Sequence, residues 1–529
     1  MWRLPVVLLL IGLLLVSAGG VALALKVSAV EADMTRLRSR AEAAESAQAS
    51  LQSQLDQLKA QATQTAPGPA ATSAPGATRS APGATTSAPG TGTSAPATGA
   101  TGKTGASGKP GLTSPAAVPT PTLSPALAAV GIDGPALQHI EAEVAGLRGL
   151  SPRADVPIKF LDQQSLEQYL DSNFQNNYLP IERETDQKLM ASLGLLNQGD
   201  SVADLLLGVL NEQVEGAYNE DDKTLYLVQD PNAQLLPQAQ ATFAAEFTHA
   251  LQDQYFDLNA LSPKHPQNDD RALAIQALVE GDATLLQRQW VQQMLSPQAI
   301  SELDKSSTDT KLNAEPLYMR EQLLFPYTDG FDFVQQAYQN HGGYPGVDAV
   351  FLNPPDSTQQ ILHPDKYWSH VEPIDVKLPD LSPALGGGWR MINTNVLGEL
   401  DIRLILEQLT DSTRAVQGSS GWAGDHWELL DQNGRQALVL ATVWDSESSA
   451  QAFFDAFGLA LSNRFGGAQV DDSSPTHQAL TASTAATDMR LSGRNVEVVI
   501  SFDRASCNAL VAALGTPIIQ TVQPTPTAS

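Results

Sequence analysis

"FAAEFTHALQDQYFDL", residues 243–258, is the stretch on which the reading of the fold turns. It reads as the body of a helix running roughly from Pro237 to Phe256, and on such a helix positions four apart, Ala245 and His249, project to one face. Upstream, "EGAYNEDDKTLYLV" (215–228) reads as a hairpin: Ala217 and Tyr218, a polar turn at 219–223, then a return strand at 224–228. Downstream, a second helix is expected from Asp269 to about Met294 and contains "ALVEGDATLLQRQW".

Two histidines at i and i+4 of a helix bind a single Zn²⁺, and the Glu that follows the first of them acts as general base on the metal-bound water. Here Glu246 holds the general-base position and His249 the second-histidine position. Glu280 of "VEGDAT" is the natural third ligand from the second helix, where Gly281 would permit close approach. Asp253, four residues after His249, either ties the helix down or orients His249 from outside the ligand shell. The first ligand position is Ala245, whose methyl group donates nothing to a metal.

The runs "EFTHALQDQYFDL", "ALVEGDAT" and "PPDSTQQILHPDKY" are similar to a group of largely uncharacterised bacterial zincin-like metallopeptidases, in which HExxHALQDQ precedes an EGDA helix. The resemblance spans roughly residues 130–375. It implies that His249 and Glu280 are zinc ligands and Glu246 the catalytic base, and Ala245 departs from it at the first ligand. Losing even an outer partner of a ligand lowers metal affinity about 10- to 100-fold, so losing a ligand outright costs more. The expectation is therefore a degenerate site with no bound cofactor, zinc being the one candidate at His249 and Glu280. His265, in the loop between the helices, and His363, in "ILHP", are the side chains that could fill the vacancy. The plainer alternatives are that His249 and Glu280 form a satisfied polar pair between packed helices, and that His363 is a turn residue before Pro364.

The rest of the chain sets this domain in context. At 529 residues it is too long for one core. Residues 4–25, "LPVVLLLIGLLLVSAGGVALAL", carry no charge and are long enough to span a bilayer core of about 30 Å. They read as an uncleaved signal anchor, the alternative being a signal peptide cut after residues 22–24. Residues 26–62 keep apolar or small side chains at a 3,4 spacing with one Gln, Gln48, in the seam, which favours a short coiled coil and self-association. Residues 63–126 are an Ala/Pro/Gly/Ser/Thr linker with only Arg79, Lys103 and Lys109 charged, a composition that builds no core. Residues 1–126 hold nine Lys/Arg and five Asp/Glu, leaving 22 against 53 in the remainder, a net of −31. So acidic a surface excludes nucleic acid as a partner. With Cys507 as the sole cysteine, neither an intrachain disulfide nor a cysteine metal site can form.

The expected fold is α+β. A mainly helical zincin-like domain (127–380) precedes a small α+β sandwich domain (381–515), read as an antiparallel sheet with helices on one face. A transmembrane helix (1–25), the coiled coil and the disordered linker come before it, and a disordered tail (516–529) follows. The functional expectation is a single-pass, membrane-anchored extracytoplasmic protein, a metallopeptidase relative that binds peptide or protein without zinc-dependent hydrolysis. An active peptidase with a substitute ligand and a structural envelope protein are the alternatives.

Overall fold

Twenty residues from Pro237 to Phe256 form the motif helix, and Pro237 at its first turn supplies a φ already suited to a helix where the missing N–H is not needed. Its residues 241–253 are all buried, so this is a core helix rather than an amphipathic surface one. The chain is described by a computed structural model over residues 134–228, 234–261, 268–306 and 310–515. The anchor, coiled coil, linker and tail expected from the sequence lie outside those residues, as does His265. Among the described residues no helix is long and apolar enough to cross a membrane.

The first half is helical around a small sheet. Its helices of eight residues or more are α1 (Gly134–Arg148), α2 (Gln163–Asn177), α3 (Pro180–Leu193), α4 (Val202–Gln213), the motif helix α5 (Pro237–Phe256), α6 (Asp269–Met294), α7 (Pro297–Ser306), α8 (Leu317–Leu324), α9 (Asp329–Asn340) and α10 (Tyr344–Leu352). Strands β1 (Ile158–Leu161), β2 (Gly216–Asn219) and β3 (Thr224–Val228) form a sheet of order β1-β3-β2. The hairpin β2–β3 is antiparallel with Tyr218 opposite Leu225, and β1 joins β3 in parallel with Ile158 opposite Leu225. Gly216 lets β2 press on the motif helix, since a Cβ there would lie 2.6 Å from Thr242 Cγ2.

Gly281 does permit a close helix contact, but with a different partner from the motif helix. A Cβ on it would stand 2.3 Å from Gly330 O, and one on Gly330 would stand 2.4 Å from Ala277 O. Helices α6 and α9 therefore pack backbone to backbone, which wedges the chain around 325–330 against Glu280.

The second half contains β4 (Arg390–Asn395), α11 (Gly398–Leu409), α12 (Ser412–Ser419), β5 (Trp422–Gln432), β6 (Arg435–Trp444), α13 (Glu447–Arg464), β7 (Gln469–Ser474), β8 (His477–Thr481), β9 (Ala486–Ser492), β10 (Asn495–Ser501) and α14 (Arg504–Leu514). Its seven strands form an antiparallel sheet of order β4-β5-β6-β10-β9-β8-β7. Alternation along the strands sends Leu429, Leu438, Leu440, Val498 and Ile500 to one core and Leu430, Val439 and Val499 to another. The second core is closed by Cys507, Leu510 and Leu514 of α14. The expectation of helices on one face is thus corrected: α14 covers the face opposite α11 and α13, because β6 and β10 are apolar on both sides. The first core is continuous from Leu137 to Ile500 and so joins both halves of the chain.

Candidate functional site: a closed Glu–His–Glu cluster

Glu246 and His249 on α5 and Glu280 on α6 come together, each fully buried. His249 Nε2 stands 3.5 Å from Glu280 Oε2, beyond the usual range of a hydrogen bond. Glu246 Oε1 and His249 Nε2 reach no close hydrogen-bond partner in this small space, and Glu280 is met by the Tyr327 phenol. His249 and Glu280 do pair between the helices, but at a separation looser than an ordinary hydrogen bond. Tyr327, in the 3-10 turn after α8, sets its phenol against Glu280 and Glu246, whose charges add to burial in holding it well above its ordinary value.

The protons in this cluster are held tightly. Burial, reinforced by Glu280, lifts the Glu246 carboxyl from 4.5 to about 8, against the opposing pull of His249 and the Tyr218 amide. Burial alone would lower the His249 imidazole, but Glu280 and then Glu246 outweigh it and raise it from 6.5 to about 9. Burial raises Glu280 as well, with His249 as the main counterweight. All three shifts favour bound protons: burial lifts the two carboxyls, and their charges lift the imidazole.

Neighbouring residues fix the cluster in place. Tyr218 of β2 donates its backbone N–H to Glu246 Oε2 at 2.7 Å and its hydroxyl to Asp253 Oδ2 at 2.7 Å. Asp253 also pairs with Lys223 Nζ at 2.7 Å and accepts from the Leu258 amide at 3.2 Å. Of the two roles weighed for Asp253, it takes the tie between helix and hairpin. Contact with His249 belongs to Gln252, three residues on, whose Oε1 lies 2.8 Å from Nδ1. Gln252 Nε2 donates to Val279 O at 3.0 Å and to Asp282 Oδ2 at 2.9 Å. Asp282 Oδ2 accepts in addition from Arg148 Nε at 3.0 Å, and Arg148 Nη1 lies 2.7 Å from Asp348 Oδ1. The "LQDQ" and "EGDA" signatures thus each supply one residue, Gln252 and Asp282, to an outer layer about His249. Those two are readable as motif positions; Arg148, Tyr218 and Tyr327 come from elsewhere in the chain and were missed.

Ala245 is buried beside this cluster, as its place on α5 requires. Zinc needs three protein donors here, and among the described residues no group of three or more His, Cys, Asp or Glu side chains is arranged to hold a metal. The orphaned polar atoms suit a cation, but the donor set falls one short, so zinc does not fit the cluster as it stands. His363 does not join it: its Nε2 lies 2.7 Å from Glu399 Oε1 on α11.

Residues 389–511, which take in almost the whole seven-stranded sheet and its helices, match the model of a family described as a domain of unknown function, DUF8575. No curated protein matches the chain. A crystal structure from Chloroflexus aurantiacus, described as "a putative hydrolase with a novel fold", is 18% identical over 46% of this chain and 88% of its own, with a TM-score of 0.30. A likeness so slight carries no weight for fold or function.

Proposed function

We propose that this chain is a membrane-anchored, extracytoplasmic relative of zincin metallopeptidases that has lost zinc-dependent hydrolysis and serves by binding peptide or protein. The observation that carries the reading is Ala245 at the first ligand position of a cluster in which Glu246, His249 and Glu280 keep their places but lie fully buried. Without a metal, water keeps a pKa near 15.7 rather than about 7, so a base at Glu246 has no activated nucleophile to work on. A base lifted to about 8 is also largely protonated at neutral pH. The reading in which His363 substitutes as a ligand is disfavoured by its engagement with Glu399.

The β2 edge is an awkward place for peptide addition, because Glu246 already occupies the amide of Tyr218. Strand β1, at the other end of the sheet, is the edge that supports a peptide-binding role. Elemental analysis of the purified full-length chain in detergent tests the loss of zinc. The expected result is zinc far below one per chain and no peptide cleavage. One zinc per chain, with cleavage abolished by a chelator, would overturn the reading.

A further inference from the structure

Proton bookkeeping around Gln252 leaves a single arrangement. Both hydrogens of its amide nitrogen are committed, one to Val279 O and one to Asp282 Oδ2, so its oxygen must face His249. An amide oxygen only accepts, and the ring nitrogen 2.8 Å away, Nδ1, must therefore carry a proton. Nε2 is left pointing toward Glu280, 3.5 Å from Oε2. Asp282 is fixed in turn by Arg148, a buried guanidinium whose Cζ lies 4.6 Å from the Tyr344 ring centroid and which also meets Asp348. This sequence of contacts runs from α10 through α1 and α6 to α5. Its members carry charge or bury amides at a cost that packing alone does not explain.

We infer that Gln252, Asp282 and Arg148 are positioning residues which hold His249 with Nε2 presented as a metal-ligating nitrogen, so that the defect in this site is confined to Ala245. Metal-bound histidines have their other ring nitrogen fixed by such a partner, which sets tautomer and ring orientation together. The inference rests on the reading of the motif as a vestigial zinc site, and it adds that the outer layer has survived the loss of the ligand.

The test uses the full-length chain in detergent micelles with a ligand restored at position 245 in two ways. Ala245→His supplies the imidazole, and Ala245→Cys supplies a thiolate with little added volume in a packed site. Co²⁺ absorption reports the coordination, and Zn²⁺ competition reports affinity. The expected result is one metal per chain in at least one variant, and an affinity about 10- to 100-fold weaker when Gln252→Ala or Asp282→Ala is added. Metal binding that is indifferent to Gln252 and Asp282 overturns the positioning role while leaving the vestigial site standing. Folded variants that take up no metal overturn both. A third measurement needs no change at Ala245: in ¹⁵N-histidine-labelled chain, a protected Nδ1–H resonance from His249 is expected, and its loss in Gln252→Ala supports the inference. Its persistence in Gln252→Ala overturns it.

Discussion

Among the described residues two histidine–carboxylate pairs, His363–Glu399 and His249–Glu280, tie distant segments together and are built to opposite standards. His363 reaches Glu399 Oε1 at 2.7 Å, while the other oxygen of Glu399 accepts from Gln359 Nε2 at 2.6 Å. That pair is complete and half open to solvent, the His363 side chain being 40% exposed. His249 and Glu280 are 3.5 Å apart and fully enclosed, and the far side of the imidazole is braced by Gln252, Asp282 and Arg148. A pair retained for stability satisfies its own atoms, as His363 and Glu399 do. A pair that is braced from behind and faced by Tyr327 and Glu246 is held in orientation rather than closed on itself.

The largest effect is expected where the brace is anchored. Arg148→Met removes the cation between Asp282, which is fully buried, and Asp348, leaving Asp282 facing Gln252 alone. Stranding a buried charge in this way costs about 3–5 kcal/mol, and urea unfolding should show a loss of that size. A loss below about 1 kcal/mol would mean that the network is solvated in practice, and the contrast between the two pairs would lose its basis.

Next in size is the contact that sets the wall of the cluster. Gly281→Ala places a methyl group 2.3 Å from the carbonyl oxygen of Gly330, a backbone atom that yields only if α9 shifts. Overpacking of this kind costs about 1–3 kcal/mol. Gly146→Ala on α1, which meets nothing within 4 Å, should be neutral or stabilising by up to about 1 kcal/mol. Equal behaviour of the two substitutions in thermal unfolding would show that α6 and α9 are not in backbone contact.

These glycines also mark what could be read from sequence. The motif helix at 237–256, the second helix at 269–294 and the hairpin strand at 224–228 are legible because each is a local pattern with a local stop: a proline at the start of α5, Asn268 capping α6 through the Arg271 amide, and a polar turn. Gly281 was legible as a close contact, but its partner, Gly330, was not. Arg148 lies 134 residues before Asp282, and no periodicity points from one to the other. Strand β7, "QVDDSS", is exposed along its whole length and offers no apolar alternation to detect. The placement of α14 against the second face was hidden for the reverse reason, since β6 and β10 alternate between two apolar cores and read simply as buried strands.

A smaller effect separates the two pairs by pH. Glu246 and His249 both have folded-state values raised above the ordinary ones, to about 8 and about 9. A raised value means that the folded chain binds protons the unfolded chain has released. The stability it gives is whole below the unfolded value, near 4.5 for Glu246 and 6.5 for His249, and is lost as pH rises through about 8 and about 9. The melting temperature should accordingly fall on the alkaline side. Glu246→Gln keeps an oxygen for the Tyr218 amide and offers an N–H toward Glu280, and should recover about 1–3 kcal/mol near pH 9. An unchanged alkaline limb would assign the loss to other groups and remove the cluster from the pH dependence.

The least costly change should be at the complete pair. His363→Ala takes away one of two hydrogen bonds to Glu399, and Gln359 remains to hold the carboxylate. With the imidazole 40% exposed, the loss should stay within about 1 kcal/mol. The hydrogen bond that His363 donates to Glu399 raises the imidazole above 6.5, so its contribution is whole below that pH and fades as pH rises through the folded value. The penalty of His363→Ala should thus be largest below pH 6.5 and shrink as the pH rises, and metal uptake by a chain carrying Ala245→His should be indifferent to it. A fall in that uptake would place His363 in the metal cluster after all, and the two pairs would be parts of one site rather than two solutions to different problems.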